Sequence, residues 1–269
     1  MERPRAKLSL LRAGAAGACI VAASVAIAAA GGDGGEKKAP AVLPNIDQAP
    51  PASVRVRTVN TPTGPAHRLG FTSRIANDGR GPLIIRSRRT GNEVMRADQV
   101  LKLRGGGLRT RRGVGSVRYV RRGTHEHWHV MGLQRFELRT RSGRRLPTRV
   151  AKQGLCLGDR EPAREDIRAP DAYNGECGKK RPDLLKLTQG LSPEWTDPYF
   201  PNVEGQELDI TNLPAGRYVL VHRADPFSQI AESNESDNAA SVLISIRRAL
   251  AGATPRVKVL RKCRDRARC

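Results

Sequence analysis

Short segments in which apolar and polar residues alternate recur along this chain, at a spacing of about ten residues. Neighbouring side chains in a β-strand point to opposite faces of the sheet, so this alternation is typical of strands with one buried face. Turn-forming residues end most of these segments, and no amphipathic stretch reaches the length of a helix. The pattern therefore predicts an all-β protein with a single β-sandwich-like domain and long loops.

The predicted strands are spread over the whole middle of the chain. Residues 93–110 are ambiguous, because short strands could flank a glycine-rich turn at Gly105–Gly107. The clearer strands cover residues 53–59, 68–75, 81–87, 117–120, 124–130, 133–140, 149–157, 217–223 and 240–246.

The two ends of the chain differ in composition from the middle. Residues 1–30 combine basic residues with an alanine-rich apolar run and a small-residue cleavage pattern, which predicts a signal peptide and a secreted or envelope-associated protein. A membrane anchor, or a lipid anchor at Cys19, is the alternative; otherwise no membrane span is expected in the mature protein. Gly and Pro predict a linker over residues 31–52. The main domain then covers 53–247, followed by a basic C-terminal extension outside the core, 248–269.

Four cysteines remain once Cys19 is assigned to the leader. An even number in an exported chain favours disulfide bonds. Sequence order suggests that Cys156 pairs with Cys177 and that Cys263 pairs with Cys269, although other pairings are open.

The chain carries a formal net charge of +22. Such a charge predicts non-specific attraction to anionic polymers. The basic residues are scattered through predicted strands and turns, and are not gathered on a recognition helix with interleaved aromatic residues. Specific nucleic-acid recognition is therefore not expected.

The segment T-H-E-H-W-H-V places His125, His127 and His129 at alternate positions. In a strand these three imidazoles share one face, and Trp128 points the opposite way, toward the core. Three imidazoles suit copper or zinc, while a surface histidine run on an edge strand is the alternative. An ideal strand separates the outer two backbones by roughly 13 Å. A curl or bulge is therefore expected if all three bind one ion.

The segment THEHWHVM, followed by LQRFEL, resembles the copper-binding segment of the lysyl oxidase family. RLGFTSRIANDGRGPLII, AKQGLCLGD and the long segment that begins TQGLSPEWTDPYF resemble further blocks of the family, in the same order, over about residues 40–247. The resemblance implies a copper-dependent amine oxidase. Its substrates would be peptidyl lysine or small primary amines and O2, and its products an aldehyde, hydrogen peroxide and ammonia.

The organic cofactor of that family, lysine tyrosylquinone, is made from a lysine and a tyrosine of the chain itself. The matching positions here are Lys152, four residues before Cys156, and Tyr199 in W-T-D-P-Y-F. The reaction needs a carboxylate that removes a proton from the substrate carbon next to nitrogen. Asp197, two residues from Tyr199, is the candidate base, with a purely structural role as the alternative.

The chain departs from the family pattern in three places. Thr124 stands where the animal enzymes carry a cysteine, the loop between Cys156 and Thr188 is longer, and Pro198 precedes the tyrosine. These differences leave two other functions open. One is a non-catalytic copper- or zinc-binding extracellular β-sandwich protein associated with anionic cell-wall polymers, and the other is a polyanion-binding protein with an incidental metal site.

Overall fold

The computed structural model of this protein describes residues 39–122, 125–148, 154–167, 169–201, 203, 205–248 and 253–269. These residues belong to one unit, Ala39–Cys269, and consist of strands and loops with no helix among them. The predicted all-β class is therefore confirmed. Consequently, no helix in the described ranges could span a membrane. The predicted signal peptide, Thr124 and Lys152 lie outside the described residues.

The strands of the described ranges follow the alternation seen in the sequence. In chain order they are β1 (Ala41–Val42), β2 (Ile46–Gln48), β3 (Ala52–Thr61), β4 (Gly64–Asn77), β5 (Leu83–Arg88), β6 (Val94–Leu103), β7 (Leu108–Arg122), β8 (His125–Val130), β9 (Gln134–Thr140), β10 (Glu161–Pro162), β11 (Lys186–Leu191), β12 (Trp195–Tyr199), β13 (Glu207–Asp209), β14 (Gly216–Ala224), β15 (Ala239–Arg247) and β16 (Arg256–Cys263).

Three antiparallel sheets are built from these strands. The first has the order β11-β5-β6-β7-β8, with β1 paired to β6. The second has the order β10-β12-β4-β13, with β2 and β3 also paired to β4. The third has the order β16-β15-β14-β9. Strand β8 thus ends the first sheet, and β12 lies inside the second.

Two groups of buried side chains form the core, and the long strand β4 contributes to both. Ile75 packs with Trp128, Leu155 and Tyr199 in the first group. Phe71 packs in the second, where its ring meets the edge of Phe136 with the centroids 4.9 Å apart. Because one strand runs through both groups, the second sheet ties the two cores together.

Most predicted strands are confirmed, and two segments differ from the prediction. The ambiguous region forms the long strands β6 and β7, joined at Gly105–Gly107, whose φ angles are all positive. In the predicted strand 149–157, residues 154–157 form only an isolated bridge between Leu155 and Val130. Residues 149–153 lie outside the described ranges.

Parts of the predicted linker and of the predicted C-terminal extension belong to the domain instead. Ile46 is fully buried, and its N–H donates to the Glu232 carboxylate at 2.8 Å. Strand β16 pairs along β15, and Val257 and Val259 pack against the second core. The alternation of these valines with basic residues is a strand signal that the basic composition conceals.

Both disulfides suggested by sequence order are confirmed. Cys156 is bonded to Cys177 and Cys263 to Cys269. The first bond joins buried residues beside β8, and the second closes a short loop after β16.

The buried His222 in β14 makes stability depend on pH. Burial lowers the pKa of this imidazole from 6.5 to about 3. The unfolded chain therefore binds a proton below pH 6.5 that the folded chain excludes, and the free energy of unfolding falls as the pH drops from about 6.5 toward 3. The contribution is about 1.4 kcal/mol for each pH unit.

We expect His222→Phe to remove this slope, since phenylalanine does not titrate and can keep the ring contact with Phe136. Burial raises the pKa of Asp47 to about 6 and of Glu232 to about 7, which gives slopes of the opposite sign. Both carboxyls remain in the variant, so the difference between the two proteins isolates His222. Urea unfolding at pH 6.5, 5.5 and 4.5 measures it, and parallel curves for the two proteins would contradict the assignment.

Candidate metal and cofactor site

The three predicted metal ligands lie together on β8. His129 is buried, whereas His125 and His127 are partly exposed. The ring centroids are 4.8 Å apart for His127 and His129, 5.3 Å for His125 and His127, and 5.7 Å for His125 and His129. All three imidazoles therefore lie close to one another on β8.

These distances fit coordination of a single ion. A metal bound at about 2.0–2.1 Å from an imidazole nitrogen lies roughly 3.2 Å from the ring centroid. Three such rings at angles between about 90° and 120° have their centroids about 4.5–5.5 Å apart. Two of the three separations lie within this range and the third, 5.7 Å, lies just above it, and the nitrogen donors suit copper or zinc. Among the described residues, the potential ligand atoms grouped within 4.8 Å of one another belong to Asp225, Glu232 and Glu235. The histidines are therefore a candidate metal site on their ring spacing and nitrogen chemistry.

Strand β8 has no bulge in its pairing with β7, and the expectation of a curl or bulge for one shared ion stays a prediction. His125, His127 and His129 pair in unbroken register with Arg122, Val120 and Arg118 of β7. The three ring centroids nevertheless lie within 5.7 Å of one another along this regular strand. Trp128 points to the opposite face as expected: it is fully buried in the first core.

A second segment covers the other edge of β8. The Leu155 N–H donates to the Val130 carbonyl at 2.9 Å, and the Val130 N–H donates to the Leu155 carbonyl at 2.7 Å. Gly154 lies so close that an added Cβ would stand 2.7 Å from the Val130 carbonyl oxygen and 3.1 Å from the His129 Cβ. Its φ of +88° is also a conformation that favours glycine. Glycine therefore lets this segment lie directly against the histidine strand.

The predicted tyrosine lies in β12 and not in a loop. Tyr199 is 7% exposed and pairs with Ser73 of β4. Its hydroxyl lies 2.9 Å from the Cys156 carbonyl oxygen and 3.0 Å from Asp197 Oδ2, and its single proton can be donated to either. Burial, and next the Asp197 charge, raise the pKa of Tyr199 well above 10. The tyrosine is therefore a neutral phenol at physiological pH.

The predicted base, Asp197, is fully buried and has a cationic partner. The Arg160 Nε donates to Asp197 Oδ1 at 2.7 Å. Burial, the largest single effect, lowers the pKa of Arg160. The combined interactions with Asp197 and Tyr199 raise it by more, so the pKa of the guanidinium is raised. Arg160 in turn lowers the pKa of Tyr199, against the effect of burial. The three side chains thus form one hydrogen-bonded group.

Sequence reasoning missed Arg160. The residue follows Cys156 by four positions, in CLGDR, and nothing in that spacing points to Asp197, which is 37 residues further along the chain. A buried carboxylate generally needs a cation or several hydrogen-bond donors. A basic partner for Asp197 could therefore have been expected, but the sequence does not indicate which basic residue it is.

The structure links the tyrosine to the histidines through a short path. Tyr199 contacts the carbonyl of Cys156, Cys156 follows Leu155, and Leu155 pairs with Val130, the residue after His129. Lys152 lies outside the described residues, two positions before Gly154 in the sequence.

This chain resembles known proteins in sequence. The sequence model of the lysyl oxidase family matches residues 110–252. Protein-lysine 6-oxidase from Rattus norvegicus is 30% identical over 115 residues, which are 42% of this chain and 25% of that protein. The enzymes of that name from Sus scrofa and Homo sapiens are 30% and 28% identical over 115 residues, covering 41% and 25% of their lengths.

The matches cover different fractions of the relatives and of this chain. This chain spans between a quarter and about two fifths of the length of these curated relatives. The family match, in contrast, takes in more than half of the 269 residues here and includes the three histidines, Asp197 and Tyr199. On that match, the chain belongs to the lysyl oxidase family.

Proposed function

We propose that this protein is an exported copper-dependent amine oxidase. It would convert primary amines, as peptidyl lysine or as small molecules, into aldehydes, using O2 and releasing hydrogen peroxide and ammonia. The observation that carries the proposal is that the ring centroids of His125, His127 and His129 lie within 5.7 Å of one another. Family membership supports the same activity.

The proposed cofactors are copper and lysine tyrosylquinone. His125, His127 and His129 would hold the copper, and Lys152 and Tyr199 would supply the quinone. With both in place, the copper and O2 provide the oxidising power and the quinone provides an electrophilic carbonyl that accepts electrons from the amine. Copper is preferred over zinc because zinc has no redox chemistry.

The surroundings of Tyr199 support its role as the precursor of the quinone. A phenol must lose its proton to be oxidised readily, and its buried position makes that loss unfavourable. Asp197 Oδ2, at 3.0 Å, is an acceptor already in place for the proton. After this transfer the Tyr199–Asp197 pair would still carry one negative charge, which the positive charge of Arg160 compensates.

Asp197 is also the proposed base in turnover. Its carboxylate is held by Arg160 on one oxygen and contacts the tyrosine hydroxyl with the other. This arrangement fixes its position next to the ring where the substrate would react. Arg160 is a positioning residue in this scheme, because it acts on the reaction through Asp197.

The compartment and the partners follow from the sequence features. The leader-like residues 1–30 and the two disulfides fit a secreted or envelope-associated protein in an oxidising environment. The charge of +22 would slow the approach of cationic amines at low salt and would favour adhesion to anionic polymers.

Tyr199→Phe tests the cofactor. The wild type, incubated with copper in air, should yield a cross-linked peptide that contains Lys152 and Tyr199, should stain for quinone and should release peroxide with a primary amine. Tyr199→Phe should lose all three signals, because phenylalanine has no oxygen on the ring. Tyr218→Phe is the matched control: this tyrosine is equally buried, bonds only to the Pro214 carbonyl among the described residues, and should keep activity.

Equal peroxide release by the wild type and Tyr199→Phe would leave a non-catalytic metal-binding protein as the function. An unmodified Tyr199 in the copper-loaded wild type would contradict the cofactor assignment directly.

His127→Ala tests the metal site. Loss of the central ligand should weaken copper binding by at least about 100-fold, because two imidazoles remain where three converge. Copper retention after dialysis measures the effect. His67→Ala, a buried histidine of β4, is the control and should retain copper like the wild type. Retention by both variants would place the metal elsewhere.

Arg160→Gln tests the proton pathway of cofactor formation. Removal of the cation that lowers the pKa of Tyr199 should slow quinone formation on the order of tenfold at neutral pH, and a higher pH should restore part of the rate. The absorbance rise after copper addition measures it. Arg164→Gln, which removes an exposed ion pair with Glu194, should not change the rate. A pH-independent loss in Arg160→Gln would indicate a purely structural role.

A further inference from the structure

A basic groove lies on the third sheet, on the side opposite the second core. The groove has a volume of about 470 Å³ and is lined by Arg217, Arg247, Arg256 and Lys258, with Ser245 and Leu260 between them. It is separate from the histidine site, because its residues come from β14, β15 and β16.

Strand register places the cations on one face. Ser245 of β15 pairs with Arg217 on one side and Lys258 on the other, and Arg247 pairs with Arg256. Side chains two positions apart on a strand share a face, so all of these point the same way. Ile244 and Ile246, which alternate with them, are buried in the second core. The five polar side chains therefore face outward together.

The groove contains positive charge without any acidic counterpart. No carboxylate lines it, and within the described ranges none of its four cations forms an ion pair. On the same protein, Arg57 pairs with Glu207 and Arg68 with Asp209. Like charges placed directly opposite each other, as Arg247 and Arg256 are, destabilise a sheet. An external anion between them would remove that repulsion.

The donors fit phosphate groups in particular. Three of the four cations are arginines, whose planar guanidinium groups can donate two parallel hydrogen bonds to one phosphate. The Ser245 hydroxyl makes no hydrogen bond to any described residue and lies between Arg217 and Lys258, so it can add a neutral donor.

The width of the groove points to a chain of charges. Neighbouring strands are about 4.8 Å apart, so the cations extend over roughly 10 Å from β14 to β16. One phosphate cannot contact all of them. The lining includes no aromatic side chain on which a base could stack, and its exposed apolar side chain is the aliphatic Leu260. Single-stranded nucleic acids are usually held by such stacking.

We propose that this basic groove binds a linear polymer that carries one phosphate charge on each unit. The site would anchor the protein to such a polymer through phosphate contacts alone. It is independent of the amine oxidase proposal, because none of its residues belongs to the histidine site.

The test measures binding of the full chain to inorganic polyphosphate by fluorescence anisotropy at several salt concentrations. The double variant Arg247→Ser, Arg256→Ser should bind about tenfold more weakly near physiological salt. Its log–log salt slope should fall by about 1.5, since each lost phosphate contact removes about 0.7–0.9. Unfolding curves check that the variant is folded.

The matched control is Arg109→Ser, Arg111→Ser, which lowers the net charge equally on exposed positions of β7. It should change the affinity less than twofold. Equal weakening by both double variants would show that binding reflects net charge alone and would overturn the proposal. Tighter binding of oligothymidylate than of polyphosphate of equal charge would overturn the choice of ligand.

Chemical protection locates the site independently. Bound polyphosphate should protect Lys258 from acetylation, while Lys102, exposed on β6, should react as before. Equal protection of the two lysines would also contradict a specific groove.

Discussion

The site depends on the pair of backbone hydrogen bonds between Leu155 and Val130. An edge strand exposes unpaired N–H and C=O groups, and on β8 this bridge covers the end of the edge that carries His129. The bridge places Gly154 against His129 and puts the Cys156 carbonyl beside the Tyr199 hydroxyl. The disulfide from Cys156 to Cys177 secures the bridge from one end, and the Cys177 carbonyl accepts the Trp128 N–H at 2.9 Å. One irregular segment thus joins the candidate metal ligands to the candidate cofactor precursor.

Around Tyr199, contacts between opposite charges offset the cost of burying charged groups. The hydroxyl, Asp197 and Arg160 lie in a region where an isolated charge would be costly. Contact between the Asp197 carboxylate and the Arg160 guanidinium avoids most of that cost. The Tyr199 hydroxyl lies within hydrogen-bond distance of the second carboxylate oxygen. A proton can pass from the Tyr199 hydroxyl to Asp197 within this group while the one negative charge stays balanced by Arg160. This property suits the oxidation of a phenol.

Local pattern was sufficient to predict strands such as β4, β8 and β14, the class of fold, the shared face of the histidines and the core position of Trp128, but it did not predict β11 and β12. These features depend on the alternation of side chains along single strands. The ion pair between Arg160 and Asp197 depends on contacts across the second sheet and its loops, which no local pattern encodes. Strand β16 was not predicted for a different reason. Its valines alternate with basic residues as in a strand, but the high content of basic residues led to the prediction of an extension outside the core. The distances between the histidine rings depend on side-chain placement as well as on the strand, and alternation along the strand predicts only their shared face.

Tyr199 is both a member of the first core and the candidate precursor of the cofactor. Its ring is enclosed by the packed interior before any chemistry takes place. Modification would therefore have to follow folding, and a chain that failed to pack would present its tyrosine to solvent, away from the metal ligands. In such a protein, only correctly folded copies would acquire the modified tyrosine, and misfolded copies would remain inactive.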